Sequence, residues 1–262
     1  MPFETLRRPA LACLALSSLA ALAACGPTNN STSNTPKPSH AAASPSDDSS
    51  ASTDTSTDGT DPTGGITMGG QVFTSTLEPP TTDIATNANV TQDQDGITLH
   101  VAKAGSYTYA GLAGGYSQIP QDLAIRVHVA EAAPASDVYY GIACRGFGQN
   151  QQYLLLSDAN GKWVIIQVNG GKQTMLKQGT AEGVDATKGV TIDAACVTPQ
   201  SNDKMNHLVL ALNGKVVGSV DDSFDNVAIS NSFELFAISP DSTTGTGDVV
   251  FNRLTVYSAS AK

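Results

Sequence analysis

The chain has 262 residues, 24 Asp and Glu against 14 Lys and Arg, a formal net charge of -10 and only 15% charged residues. Neutralising a phosphate backbone takes clustered Lys and Arg, which this composition lacks, so nucleic acid is excluded as a partner. Charge alone would not bind the chain to anionic lipid headgroups either, and the length allows one large or two small domains.

Residues 1–24 read as an export signal. Arg7 and Arg8 precede an uncharged, largely apolar run from Ala10 to Ala24, which ends at Cys25 and Gly26. A run of about 15 residues is short for a transmembrane helix. The segment Leu22-Ala23-Ala24-Cys25 resembles the lipobox of bacterial lipoproteins. That resemblance implies a thioether-linked diacylglycerol on Cys25 and cleavage just before it; the alternative is an ordinary secretory signal with a chance cysteine. Two or more acyl chains anchor stably where one binds marginally, so lipidated Cys25 would hold the chain on the outer, extracytoplasmic face of a cell membrane. Pro9 after the arginine pair leaves the export route open.

Residues 25–68 are dominated by Ser, Thr, Asn, Asp, Pro and Ala. Such a stretch buries too little apolar surface to offset the entropy of ordering it and is expected to be a disordered linker. About 40 residues of flexible chain span roughly 35 Å. His40 lies here and is read as solvated.

Residues 69–262 carry period-two hydrophobicity. Ile97, Leu99 and Val101 alternate with Thr98 and His100; Leu123, Ile125, Val127 and Val129 alternate with Ala124, Arg126 and His128; Leu208, Leu210 and Leu212 alternate with Val209 and Ala211. These are strands with one face in a core. Asp158-Ala159-Asn160-Gly161, Asn169-Gly170-Gly171 and Asn213-Gly214 supply residues that tolerate positive φ in tight turns. The clearest hairpin joins Leu208–Leu212 to Lys215–Val220. About a dozen strand candidates without helical periodicity predict an all-β, two-sheet antiparallel jelly-roll sandwich in one domain.

Once Cys13 leaves with the signal and Cys25 is acylated, Cys144 and Cys196 remain as an even pair in an exported domain, which points to a disulfide. Two buried thiols or half a metal site are the alternatives, although no second His-Cys cluster completes a zinc set.

The runs Tyr139-Tyr140-Gly141-Ile142-Ala143-Cys144-Arg145, Tyr153-Leu154-Leu155-Leu156, Gly161-Lys162-Trp163-Val164-Ile165, Ala195-Cys196, Leu208 to Gly214 with Val216 and Val217, and Val250 to Val256 resemble the concanavalin A-like lectin/glucanase superfamily. They are similar in particular to laminin-G-like and keto-disaccharide-hydrolase-like modules of actinobacterial surface proteins. The resemblance rests on strand pattern and spacing and implies a jelly roll whose concave face often binds sugars.

The glucanase branch uses a strand of alternating acids, Glu-x-Asp-x-x-Glu. Beyond the signal only Glu78, Glu131, Glu182 and Glu234 remain, far apart, and none has an acid at that spacing. There is no GxSxG, HExxH or GxxxxGK motif, and Gly111-Leu112-Ala113-Gly114-Gly115 lacks the Lys of a phosphate cradle. Asp93-Gln94-Asp95-Gly96 could begin a calcium loop but lacks a later bidentate Glu and reads better as a turn. Asp221-Asp222 receives the same reading. His100, His128 and His207 alternate with core aliphatics and should point away from the core. No cofactor and no metal are expected.

Strand parity yields one candidate site. With Ile142, Cys144, Ile192, Ala194 and Cys196 inward, Tyr139, Arg145 and Asp193 face outward; with Leu154, Leu156, Val164, Ile166 and Val168 as core, Tyr153, Trp163 and Gln167 do the same. Such a face would offer a sugar or peptide an aromatic platform and planar hydrogen bonders. The alternative is that these residues lie on different sheets, or that Arg145 pairs with Asp193 for stability. The leading expectation is a lipid-anchored, non-enzymatic β-sandwich that binds a glycan or a cell-envelope protein. A sugar-processing hydrolase and a structural protein-protein module are the rivals.

Overall fold

A computed structural model describes residues 63–78, 84–85, 89–112, 120–132, 137–146, 151–185, 188–223, 232–240 and 245–261. The export signal, Cys25 and the greater part of the linker lie outside these residues.

Among the described residues fifteen strands follow one another: β1 (Ile66–Ser75), β2 (Ile84–Ala85), β3 (Val90–Asp93), β4 (Gly96–Val101), β5 (Tyr107–Leu112), β6 (Leu123–Ala132), β7 (Tyr139–Cys144), β8 (Gln151–Ser157), β9 (Lys162–Asn169), β10 (Lys172–Thr180), β11 (Val190–Val197), β12 (Met205–Leu212), β13 (Lys215–Ser223), β14 (Phe233–Ile238) and β15 (Gly247–Ala261). The first strand starts at Ile66, slightly before the boundary expected from composition. One sheet has eight strands in the order β13-β12-β11-β6-β15-β4-β3, with β1 also paired to β15; the other has seven in the order β10-β9-β8-β7-β14-β5-β2. Every pairing is antiparallel. The fold is the all-β, two-sheet antiparallel jelly-roll sandwich that the sequence predicts.

The main core lies between the sheets. Ile97, Leu99, Ile125, Val127, Ile192, Leu208, Leu210, Leu254 and Val256 enter it from the eight-stranded sheet, and Tyr140, Ile142, Tyr153, Leu155, Trp163, Ile165, Phe233 and Leu235 from the other. Parity is therefore as expected in β4, β6, β7, β11 and β12. The predicted hairpin is present, with Asn213 at φ 51° and Gly214 at φ 78° between β12 and β13. At Asp93 to Gly96 the β3–β4 turn closes with the Asp95 N–H donating to Asp93 Oδ1 at 2.9 Å, an ordinary Asx turn.

In β8 and β9 the expected parity is inverted. Tyr153, Leu155, Trp163 and Ile165 point into the sandwich, whereas Leu154, Leu156, Val164, Ile166 and Val168 lie on the outer face of the seven-stranded sheet with Ala143 and Phe236. The runs Tyr153–Leu156 and Trp163–Ile166 are apolar at every position, so alternation cannot decide which residues face in. Size decides: the interior holds the only Trp in a slot made by two glycines. A Cβ on Gly179 would stand 2.6 Å from Trp163 Cζ2, and one on Gly218 2.5 Å from Cζ3.

A third apolar cluster sits on the outer face of the eight-stranded sheet, where Ile66, Ala124, Ala195, Val197 and Val209 are buried. Register shifts between Met68 and Phe73 mark bulges in β1, and bulges bend a strand. A cavity of about 400 Å³ is lined by Thr63, Ile66 and Met68 together with Ala124, Ala211 and Val216 of this face.

Cys144 and Cys196 form a disulfide with Cα atoms 6.6 Å apart and a sequence separation of 52. It ties β7 to β11, one strand from each sheet. Replacing both cysteines by Ala should lower stability by about 4 kcal/mol, because a loop of this length is then free in the unfolded chain. Urea unfolding of the double variant checks this, and an unchanged midpoint would contradict it.

Candidate ligand-binding face

The six residues expected to share one outward face occupy three places. Tyr139 alone lies on the outer face of the seven-stranded sheet, half-buried against the apolar cluster there. Tyr153 and Trp163 are core residues. The Tyr153 hydroxyl donates to Asp222 Oδ2 at 2.8 Å, Gln167 Nε2 donates to the same oxygen at 2.5 Å, and Asn206 Nδ2 donates to the Tyr153 hydroxyl at 3.4 Å. Asp222 on β13 thereby clasps β8 and β9 across the sandwich, and burial pushes the Tyr153 phenol up, helped by this carboxylate. Tyr153, Trp163 and Gln167 thus hold the sheets together instead of facing outward.

Arg145 is also inside. Its side chain is 2% exposed; Nη2 donates to Asp122 Oδ1 at 2.5 Å and to Thr198 Oγ1 at 3.0 Å, while Nε and Nη1 have no partner. Burial lowers its pKa, and the Asp122 carboxylate works in the opposite direction. Asp193 lies on the outer face of the other sheet. There Arg126 grips it with Nε at 2.6 Å and Nη2 at 3.3 Å, and this hydrogen bonding raises the guanidinium pKa. Arg145 therefore pairs with Asp122, and Asp193 with Arg126. His100, His128 and His207 point away from the main core and each has a partner: His100 contacts Asp248, His128 contacts Asn252, and His207 bridges Asp221 and the Gly64 carbonyl, while His40 lies outside the described residues. Among the described residues no group of three or more His, Cys, Asp or Glu could hold a metal ion.

The outer face of the seven-stranded sheet has the composition of a ligand site. Its register sets side chains in rows across the strands. One row runs Gly111, Glu234, Ala143, Leu154, Ile166, Met175, and the next Tyr109, Phe236, Gly141, Leu156, Val164, Gln178. Tyr107 lies beyond Tyr109 on β5. Its ring stacks on Phe236 with centroids 5.7 Å apart and planes at 11°, and lies 6.5 Å from Tyr109 at 27°. Tyr107 is 41% exposed. The β5–β14 side is thus an aromatic platform with Tyr139 and Ile238 beside it.

Glu234 stands in this face between Gly111 and Ala143, two residues from Phe236. Oε2 is buried without a hydrogen-bond partner, and burial raises the carboxyl pKa. Glu234 as a whole is half-buried, and a carboxyl beside stacked rings can bond a hydroxyl-rich ligand whose apolar ring face lies on the aromatics. Its ladder neighbours bring no second carboxylate, and the common glycosidase mechanism needs one about 5 to 9.5 Å away. The sequence concealed this site because Tyr107, Tyr109, Glu234 and Phe236 come from strands more than 100 residues apart; the alternation of Tyr107 and Tyr109 on one strand was the available signal.

No family model and no curated protein matches this chain. Among solved structures, the chain is similar to the β-glucanase of Bacillus licheniformis at 10% identity and TM-score 0.49, over 73% of this chain and 99% of that one. It is similar to the carbohydrate recognition domain of Emp46p at 11% identity and TM-score 0.48, over 73% and 97%. A third is the carbohydrate binding module CBM66 from Bacillus subtilis, at 12% identity and TM-score 0.44, over 68% and 94%.

The buried carboxyl makes a pH prediction. A carboxyl whose folded pKa is raised binds its proton more tightly folded than unfolded, so its effect on stability worsens as pH rises from about 4.3 through the folded value. Glu234→Gln removes this dependence. Urea unfolding should show the variant gaining on wild type between pH 4 and pH 7, and a constant difference would contradict the raised pKa.

Proposed function

We propose that this protein is a lipid-anchored, extracytoplasmic module that binds carbohydrate on the outer face of its seven-stranded sheet without cleaving it. The observation that carries the reading is the stack of Tyr107, Tyr109 and Phe236 next to Glu234, whose buried carboxyl has an oxygen without a partner. Aromatic rings take the apolar face of a pyranose while a few placed polar groups fix its hydroxyls. A hydrolase is the rival, favoured by one observation: a carboxyl with a raised pKa is suited to act as a general acid.

A glycan array probed with the full chain should give hits that Tyr107→Ala weakens by about tenfold, the worth of one aromatic stacking contact. Incubating those hits with the protein should release no product. A blank array would overturn the binding reading, and turnover would replace it with the hydrolase.

The lipid anchor is a separate proposal, supported by the Leu22-Ala23-Ala24-Cys25 sequence after an apolar run. Cys25→Ala should move the protein from the membrane fraction into the medium. Retention in the membrane fraction would contradict the anchor.

A further inference from the structure

The outer face of the eight-stranded sheet holds the cavity of about 400 Å³, on the other side of the sandwich from Tyr107 and Glu234. Close-packed proteins leave few voids larger than a water molecule, and ligand pockets run from about 300 to 1,000 Å³. This hollow therefore has the size of a ligand site, and small side chains make it. Ladder pairing sets its floor in two rows across β6, β11 and β12. One row is Ala124, Ala195, Val209; the other is Arg126, Asp193, Ala211, continued by Val216 on β13. At each alanine a larger aliphatic would fill the space. The start of β1 forms the wall: Ile66 is buried against the floor, and a Cβ on Gly64 would stand 2.8 Å from Val209 Cγ1. The hollow opens to solvent at Met68, which is 44% exposed, and at Thr67 and Gly214.

Shape and charge define the guest. With strands about 4.8 Å apart, three steps from β6 to β13 make a trough about 14 Å long, and two rows make it about 7 Å wide. Such a trough suits an extended alkyl chain. Among the described residues that line it, only Arg126 and Asp193 carry charge, and they lie together at the β6–β11 end. They already satisfy each other, with Nε to Oδ1 at 2.6 Å and Nη2 to Oδ2 at 3.3 Å. A carboxylate head would meet the like charge of Asp193, and an ammonium head that of Arg126. A hydroxyl can accept from the one and donate to the other. The Arg126 side chain is 46% exposed, so a polar head there stays near water.

We propose that this cavity binds an uncharged, hydroxyl-headed single-chain lipid, with its head at the Arg126–Asp193 pair and its hydrocarbon along Ala195, Val209, Ala211 and Val216. The site lies on the other sheet and is independent of the carbohydrate reading. Each methylene taken out of water strengthens the complex.

Alanine-methyl NMR on the full chain carrying Cys25→Ala tests this with 1-hexanol, 1-decanol, decanoate and decyltrimethylammonium, each below its solubility or micelle limit. Decanol should shift the methyls of Ala124, Ala195 and Ala211 saturably and leave those of Ala143 and Ala237 unmoved. It should bind about tenfold tighter than hexanol and about threefold tighter than either ionised probe. Ala211→Leu fills the hollow and should abolish the saturable shift at Ala195, while the urea midpoint stays the same or rises. Met68→Asp, at the exposed mouth, should weaken decanol by about fivefold, and it decides the matter if Ala211→Leu fails to fold. No saturable shift at the three alanines, or shifts at Ala143 instead, would overturn the site. Equal affinity for hexanol and decanol would overturn the alkyl trough, and an ionised probe that binds as tightly as decanol would overturn the uncharged head, each taking the proposal with it. Binding undiminished by both variants would place the lipid elsewhere and overturn the proposal.

Discussion

The lodging of Trp163 and Tyr153 between the two sheets is the constraint on which the rest of the seven-stranded sheet depends. Once these rings point inward, the pleat sends Leu154, Leu156, Val164 and Ile166 to the opposite face. Glycine at 179 and 218 makes the inward arrangement possible by leaving room where a Cβ would collide with the indole. A sheet apolar on both faces is then unavoidable. These outer aliphatics are nevertheless at most 6% exposed.

Polar groups fix how the layers sit. Asp222 receives Tyr153 and Gln167 from the opposing sheet, and the Cys144–Cys196 bond ties two central strands. Arg145, at φ 57° just past β7, turns back to Asp122 and Thr198. Removing the partner of a buried cation typically costs about 3 to 5 kcal/mol, so this pair holds position more than it adds stability. On the outer face of the seven-stranded sheet the Glu234 carboxyl is not engaged in such bracing through Oε2. It stands between Gly111 and Ala143 in the ladder, with Oε2 closed to solvent.

The fold was legible because alternation is clean where one face of a strand meets a polar environment. Leu123 to Val129, Ile97 to Val101 and Leu208 to Leu212 all placed their aliphatics correctly, and Asn213-Gly214 marked its hairpin. The two remaining cysteines also paired as expected. Legibility failed in β8 and β9, where the runs Tyr153–Leu156 and Trp163–Ile166 are apolar at every position and side-chain volume, not pattern, decides the face. That single inversion moved Tyr153, Trp163 and Gln167 from a supposed ligand face into the interior. Arg145 and Asp193 were expected on the ligand face, with a pair between them as the alternative; each instead forms an ion pair with another residue, since Asp122 and Arg126 are brought near them only by sheet pairing and loop geometry. The aromatic stack was hidden for the same reason: β5 and β14 are neighbours in space and distant in sequence.

The account's central claim is that the outer face of the seven-stranded sheet receives the ligand. Methyl and aromatic side-chain NMR during titration with a bound glycoside tests it most directly. The account predicts shifts at Tyr107, Tyr109, Ile238 and Leu154, with the interior Ile125 and Leu210 unmoved. Shifts confined to Ala124, Ala195 and Val209 on the outer face of the eight-stranded sheet would contradict it.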